Sequence, residues 1–562
     1  MKQKPSNEKL VSSLLQTIEP KLIADDSIRQ MVELLLNLIE ELNSKVIDLE
    51  AENQKLRDEN NRLKGEQGKP DIKGQKPRGF DKDYSSEKER KTPKKHSKSR
   101  KTESIKIDRE EILECEPEKL PADAEFKGYQ ELIVQDIKLS TDNILFRKQK
   151  YYSPSEKKTY LAELPTGYEG EFGPGIKALV ISLYYGGNMT QSKLLEFLEN
   201  LGICMSTGHL SNLLIKNHQE FEREKEEICE AGLSSSPWQH FDQTSARVGG
   251  VNYTTNIICN PFYTVYVTTS HKDRLSVLKA LQNGLELEFL LQPVTYELLS
   301  QFEVPQKWQN ALQQLPQTAF FQSEFQSLLE QHLPQLKSRV RVRILEAAAI
   351  ACYQQSTEWP VVQTLVCDDA PQFKSLTESL SLCWVHEGRH YKKLNPLVAY
   401  HQKILEQFRE EFWDYYRQLL AYKDNPSPAM VQILRDEFEQ LFGTQSSYQQ
   451  LDERKRLTRA KISELLLVLE HPELPLHNNP AELGARTMVQ RRNISYGTQT
   501  SQGTKSWDTF MSLVATSRKL GISFFEYVRD RISATGTIPS LSALIDERSS
   551  QNPFGWSWQP ES

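Results

Sequence analysis

The chain has 562 residues, 38% hydrophobic and 26% charged, enough apolar side chain for a full core and enough length for several domains. Its start lacks the basic stretch, apolar run and small-residue cleavage site of a secretory leader, and no apolar stretch reaches bilayer-spanning length, so it reads as a cytoplasmic protein without a membrane partner. Seven Cys, at 115, 204, 229, 259, 352, 367 and 383, contain no C-x-x-C, which argues against a disulfide frame and a complete zinc site. The net charge of -6 conceals an asymmetry: residues 64–106 hold 15 Lys/Arg against 7 Asp/Glu, which is +8 and leaves -14 for the rest.

In chain order, an N-terminal helical segment (1–27) precedes a seven-residue repeat over 28–64. Ile28, Leu35, Leu42, Leu49, Leu56 and Leu63 fall on one row, and Val32, Ile39, Val46, Asn53 and Asn60 on the other. β-branched residues on one seam with Leu on the other predict a two-stranded parallel coiled coil, with the seam Asn fixing register. A homodimer or higher assembly follows; packing of this helix on its own body is the disfavoured alternative. Residues 65–104 lose periodicity and are dense in Lys, Pro, Ser and Gly, a flexible basic linker whose Lys94 and Lys95 are candidates for phosphate contact or simple solvation. The stretch 105–171, with "ELIVQDIKL", predicts a small β-rich module. Residues 172–232 have helical spacing broken by Gly-Gly, Asn and Ser-Thr-Gly, the look of a helix-turn-helix and a candidate DNA-binding module, though packing alone also explains it.

After "SSSPW" the period changes. Strands are predicted at 238–248, 252–260 and 262–270, joined by Gly-Gly and Asn-Pro turns. A Leu/Gln-rich helical insert fills 283–356, and "VVQTLVC" (361–367) reads as a strand buried on both faces, ending in Asp368 and Asp369. Residues 397–473 are helical throughout, and "HNNPAELGARTMVQ" begins another helix. The pieces 233–396 and 474–540 then make one α/β unit with a mixed sheet, followed by a tail (541–562).

Three carboxylates stand where such a sheet would gather them: Asp242 within the first strand, Asp368 closing the buried strand, and Glu482 in the first turn of a helix that Asn478 or Asn479 can cap, with Pro480 beside it. Singly, each is more often structural than catalytic. Together they offer the oxygen ligands that hard cations take, a pair of Mg²⁺ ions with Mn²⁺ as a substitute, as used for in-line phosphoryl transfer by water or a DNA 3′-hydroxyl.

"HFDQTSARV", "LVCDDAPQF...LCWVHEGRHYKKL", "HNNPAELGARTMVQRRN" and "SWDTFMSLVATSRKLGISFFEYVRDRI" occur in an order that resembles the Asp-Asp-Glu transposases of the insertion sequence 66 family, found in bacteria, over about 172–535 plus the N-terminal coiled coil. The resemblance implies a ribonuclease H-like core broken by an all-α insertion, with Asp242, Asp368 and Glu482 as its metal-binding catalytic set. Asp369 stands beside Asp368 as the alternative second ligand. Gln243 replaces the family's usual Glu, His477 stands where Asp often begins the signature, and Leu483 where Arg commonly follows the glutamate. The family's Cys-rich zinc element is missing, Cys115 standing alone, so no bound zinc is expected. Cys383 and His386 have half of a metal-site spacing without a second pair, and structural roles are the better reading.

Arg389 matches an arginine of the family motif, and it, Lys392, Lys393 and Arg486 are candidates for phosphate contact near the site, with Arg491 and Arg492 extending a basic strip. The function implied is a DNA transposase that binds element ends and target and is nucleoid-associated when bound, with the need for accessory proteins left open by the sequence. A ribonuclease H-like nuclease without strand joining, and a catalytically silent DNA-binding derivative, are the rival readings.

Overall fold

A helix of 38 residues, α1 (Asp26–Leu63), opens the computed structural model, which describes residues 15–63, 105–116, 121 and 124–555. Lys94, Lys95 and the linker of 65–104 lie outside the described residues. The heptad stretch does form one helix, but its first half docks on the body, the arrangement the repeat disfavoured. Leu36, on neither heptad row, is buried with Val398 and Tyr400, and Val32 and Ile39 pack beside them. Glu40 accepts the Leu397 and Val398 amides at 2.9 and 2.8 Å and meets buried His401 at 3.3 Å. Side chains three and four apart share a helix face, so a stripe through 32, 36, 39 and 40 can dock while another stays open. That other row, Ile28, Leu35, Leu42, Leu49 and Leu56, remains more than half exposed.

Within 105–171 the described residues form one antiparallel hairpin, β1 (Lys150–Ser153) with β2 (Lys158–Leu161). Four helices follow: α2 (Pro174–Ile181), continued by a π turn over Ser182–Gly186, then α3 (Gln191–Asn200), α4 (Thr207–Ile215) and α5 (Gln219–Ser234). Thr190 and Ser206 cap α3 and α4 by accepting the Lys193 and His209 amides. Leu194, Leu198, Leu210 and Leu214 then bury the two helices in the main core.

The central sheet is mixed and five-stranded. Its members are β3 (Trp238–Val248), β4 (Val251–Cys259), β5 (Thr264–Thr269), β8 (Thr364–Cys367) and β9 (Ser379–Leu382), in the order β5-β4-β3-β8-β9. The first three form an antiparallel meander, while β8 runs parallel to both β3 and β9. Between β5 and β8 lie α6 (Arg274–Leu281), α7 (Pro293–Gln301), α8 (Gln306–Leu312), α9 (Gln322–His332) and α10 (Ser338–Gln354), with a two-residue pairing of β6 (Glu288–Phe289) and β7 (Phe320–Phe321). After β9 comes α11 (Trp384–Lys393), then helices alone: α12 (Ala399–Asp424), α13 (Pro428–Gly443), α14 (Gln449–Arg459) and α15 (Ile462–Leu465). They have a core of their own around Trp384, which packs tilted or edge-on against Phe412, Tyr415 and Phe438 and donates its indole N–H to Leu465 O at 2.9 Å. The chain returns to the sheet with α16 (Asn479–Ser495), α17 (Ser501–Lys519), α18 (Phe524–Ser533) and α19 (Leu541–Gln551).

β5 is an edge strand, and α17 covers its open amides. Asp508, Ser512 and Thr516 accept the N–H groups of Thr268, Tyr266 and Thr264 at 2.7, 2.9 and 3.2 Å. Four residues advance a helix by about 6 Å and two advance a strand by about 6.6 Å, so the two ladders stay in step along the edge. A polar helix row thus does what a sixth strand would do. Ser512→Ala strands the buried Tyr266 amide and is expected to cost about 1–3 kcal/mol, read as a lowered denaturant midpoint with unchanged slope.

Candidate active site

Asp242 lies where β3 passes from a fully buried run, Trp238–Phe241, into its half-exposed end. Asp368 follows the last residue of β8, at the carboxyl end of a strand parallel to β3. Glu482 sits in the first turn of α16, and Asn478 brings that turn to the sheet. Asn478 holds the N-cap position, but its side chain makes no cap, which corrects the sequence reading. Its amide instead donates to Phe241 O at 2.7 Å, its carbonyl oxygen meets buried His240 Nδ1 at 3.0 Å, and its backbone N–H points to Cys383 Sγ at 3.3 Å. Both β3 partners precede Asp242, so one buried side chain ties the start of the helix that carries Glu482 to the strand that carries Asp242.

Two residues past Glu482, Gly484 lets α16 approach β4. A Cβ there would stand 2.8 Å from Ile257 Cγ2, and the Gly484 carbonyl accepts the Tyr266 hydroxyl at 3.3 Å. A helical glycine costs about 0.5–1 kcal/mol relative to alanine, which the close contact offsets.

The three acids share one electrostatic field. Burial pushes the Asp242 carboxyl up to about 6, and the charges of Asp368 and Glu482 push the same way against the Gln243 amide, which Asp242 accepts at 2.7 Å. Asp369 faces elsewhere: its oxygens meet Lys374 and Lys461, each at 3.1 Å, and although burial alone would raise its carboxyl, these lysines hold it below the usual range. Gln243 keeps a fourth negative charge out of the cluster; its amide ties Asn256 at 2.7 Å to Gln372 at 2.8 Å, joining β4 to the turn after Asp368. Lys272 offsets part of this like charge at Asp242; the three carboxylates offer the oxygen donors that hard divalent cations take, although their oxygens are not gathered within 4.8 Å of one another.

α11 supplies Glu482 with counter-charges. Arg389 reaches one carboxylate oxygen at 3.2 Å, His386 Nδ1 lies 3.6 Å from the other, and Arg486 stands 4.0 Å away. Arg389 also donates to His386 Nε2 at 2.9 Å. A guanidinium only donates, so this contact places the imidazole hydrogen on Nδ1, toward Glu482. Neither Glu482 Oε1 nor His386 Nδ1 makes a hydrogen bond, although both atoms are buried. Cys383 completes a trio with them, the three donor atoms lying within 4.8 Å of one another; burial pushes its thiol up to about 12. In sequence, C-x-x-H was half a pattern, because its third member arrives on a distant helix.

The basic candidates separate. Arg389 and Arg486 flank Glu482 with side chains 43% and 63% exposed, and Lys392 and Lys393 are exposed at the end of α11. Arg491 does not extend a surface strip. It is fully buried, with its guanidinium 4.0 Å from the Tyr184 ring and 5.4 Å from that of Trp507, and it donates to Met189 O at 3.4 Å. Three residues earlier Met488 is buried on the same helix face, which explains the direction. Arg492 is half-buried beside Arg247 and Asp508 in a small cavity.

Residues 342–506, which include Asp368 and Glu482 but not Asp242, match the Transposase IS66 family. An uncharacterized protein of Sinorhizobium fredii (strain NBRC 101917 / NGR234), y4jO, is 32% identical over 329 residues, which is 57% of this chain and 99% of that protein. The chain belongs to the IS66 transposase family. No helix among the described residues of this IS66 transposase is long and apolar enough to cross a membrane.

Two outcomes follow from the geometry. Gly484→Ala is expected to cost about 1–3 kcal/mol by forcing α16 off β4, and, by moving Glu482 from Asp242, to weaken Mg²⁺ binding measured by calorimetry more than Ser512→Ala does. The Asp242 carboxyl is raised from 3.8 to about 6 on folding, so its ionisation opposes folding: the penalty is absent below pH 4, grows as pH rises to 6 and is full above it. The metal-free protein therefore loses stability across that window. Mg²⁺ should raise its melting temperature more at pH 7.5 than at pH 5, and Asp242→Asn should abolish that difference.

Proposed function

We propose that this IS66 transposase is an Asp-Asp-Glu enzyme that cuts DNA at the ends of a mobile element and joins the freed 3′ ends to a target. The observation that carries the reading is that Asp242, Asp368 and Glu482, far apart in the chain, come near enough for the charges of the last two to add to the burial that lifts the Asp242 carboxyl to about 6. The sheet order β5-β4-β3-β8-β9, an antiparallel meander joined to two parallel strands, supports a ribonuclease H-like core in which α12 to α15 form the all-α insertion before Glu482.

Asp242, Asp368 and Glu482 are the residues that would hold Mg²⁺, and the ions, when bound, stabilise charge on the attacking and leaving oxygens of an in-line phosphoryl transfer. Gln243 and Asn478 hold the strands and helix in register around them. Arg389, Lys392, Lys393, Arg486 and Arg492 meet phosphates on the DNA passing α11 and α16, with Lys94 and Lys95 adding contacts without sequence information. The helix pair α3–α4 presents a second DNA surface. The open row of α1, through Leu35, Leu42, Leu49 and Leu56, pairs two protomers so that two element ends are held together.

Purified protein given pre-cleaved element ends and a supercoiled plasmid in Mg²⁺ is expected to yield joined products. Asp242→Ala, Asp368→Ala and Glu482→Ala are each expected to reduce joining by about a hundredfold or more while DNA binding persists in a gel-shift assay. Hydrolysis without joining would favour a nuclease, and products unaffected by all three substitutions would remove the catalytic assignment.

A further inference from the structure

Adjoining the three carboxylates, and sharing Glu482 with them, the strongest unexplained feature is the trio of Cys383, His386 and Glu482. We propose that these three residues form a second metal site, one for a thiophilic divalent ion such as Zn²⁺, whose occupation silences the enzyme by drawing Glu482 away from the hard-ion site. The part of this concerning inhibition rests on the reading of Glu482 as a catalytic ligand; the binding site stands on geometry alone.

Cys383 is buried at the junction of β9 and α11, and His386 stands three residues on, so the two donors rise from one side of the helix start. Glu482 reaches them because the Asn478 amide, one turn before it, rests against Cys383 Sγ. Sγ, the imidazole nitrogen and a carboxylate oxygen lie within 4.8 Å of one another, and the nitrogen and oxygen are 3.6 Å apart. Ligand bonds of about 2.0–2.3 Å to a tetrahedral ion put donors about 3.3–3.8 Å from each other. One pair thus already has the required spacing, and side-chain rotation closes the remainder. The orphaned Glu482 Oε1 and His386 Nδ1, buried and without a hydrogen bond, are the atoms such an ion would satisfy.

The charges balance. A divalent ion with one thiolate and one carboxylate is neutral as a unit, which suits a half-buried place, and water fills the fourth position. Binding displaces the thiol proton to solvent and moves the imidazole hydrogen from Nδ1 to Nε2. The Arg389 N–H now aimed at Nε2 must then leave, and its side chain, 43% exposed, has room to turn outward. Sulfur and imidazole select Zn²⁺ or Cd²⁺ over Mg²⁺, which prefers oxygen. The two sites therefore differ in ligand softness and compete for one carboxylate.

Cd²⁺ added to the metal-stripped full-length protein should produce sulfur-to-cadmium charge-transfer absorption in the ultraviolet, saturating at one equivalent per chain. Cys383→Ser should abolish that band and His386→Gln should weaken binding at least tenfold, whereas Cys115→Ser and Cys204→Ser should leave it. In Mg²⁺, one equivalent of Cd²⁺ or Zn²⁺ should reduce DNA cleavage at least tenfold, and the ratio of cleavage with and without Cd²⁺ should return to near one in Cys383→Ser. Absence of the band, or a band indifferent to both Cys383→Ser and His386→Gln, overturns the site. A band that depends on both residues, with cleavage unimpaired, overturns the inhibition. Cleavage that survives Asp242→Ala and Glu482→Ala would instead defeat the catalytic reading and leave the cadmium band as the test of the site.

Discussion

The contact of α16 with β3 and β4 is the constraint on which the site depends. Everything local about Glu482 would be satisfied on any exposed helix: a first-turn acid beside a Pro, at the positive end of a dipole. What makes it more is that Asn478 replaces solvent for Phe241 O and His240, and that Gly484 removes the side chain which would hold the helix away from Ile257. These contacts act on either side of Glu482, so the backbone that carries it is held against the sheet and only side-chain rotation is left to move the carboxylate. Burial, with the neighbouring charges of Asp368 and Glu482 added to it, appears as a cost in the raised Asp242 carboxyl.

A second restraint comes from the helices between the last strand, β9, and α16. Glu387 on α11, 3% exposed, accepts from Lys461 and Thr458 at 2.5 Å each and is paired with Arg454, all three contributed by the α14–α15 region. Lys461 continues to Asp369. One buried ion network thereby fixes both the loop that carries Asp368 and the helix that carries His386 and Arg389. Buried charges are poor sources of net stability but strict about geometry, because breaking one pair leaves another charge unpaired. The helical segment is thus part of the architecture of the site and not a separate lobe beside it, although its core around Trp384 packs independently.

How much of this was legible in sequence follows from the range of each signal. The strands β3, β4 and β5 and the buried β8 were readable because alternation, apolar runs and turn residues are local. So was the placement of Asp368 at a strand end and of Glu482 in a first turn. Asn478 was misread as a cap because its partners, Phe241 and His240, lie elsewhere in the chain and no local pattern names them. Arg491 was placed on a basic strip with its neighbour Arg492; only the rings of Tyr184 and Trp507 reveal that it is enclosed. The heptad over 28–64 was real as a helix, yet a heptad does not say which face the body takes, and Leu36 and Glu40 on neither row carry the docking. The Asp508, Ser512 and Thr516 ladder had the spacing of one helix face, but polar residues at that spacing usually face water.

The basic residues around Glu482 acquire a further meaning from this arrangement. Without a cation, Arg389 and Arg486 offset the glutamate, and His386 turns its hydrogen toward the same group. A cation at Glu482 takes over that role, since opposite charge is then supplied at shorter range than a guanidinium allows. On the proposed function, Arg389 and Arg486, both substantially exposed, would then be free for phosphate. Metal and DNA would be linked without any movement of the backbone, each making the other's ligands available. The linkage is reciprocal by thermodynamic necessity, so DNA that engages Arg389 must tighten hard-ion binding by the same factor that the ion tightens DNA.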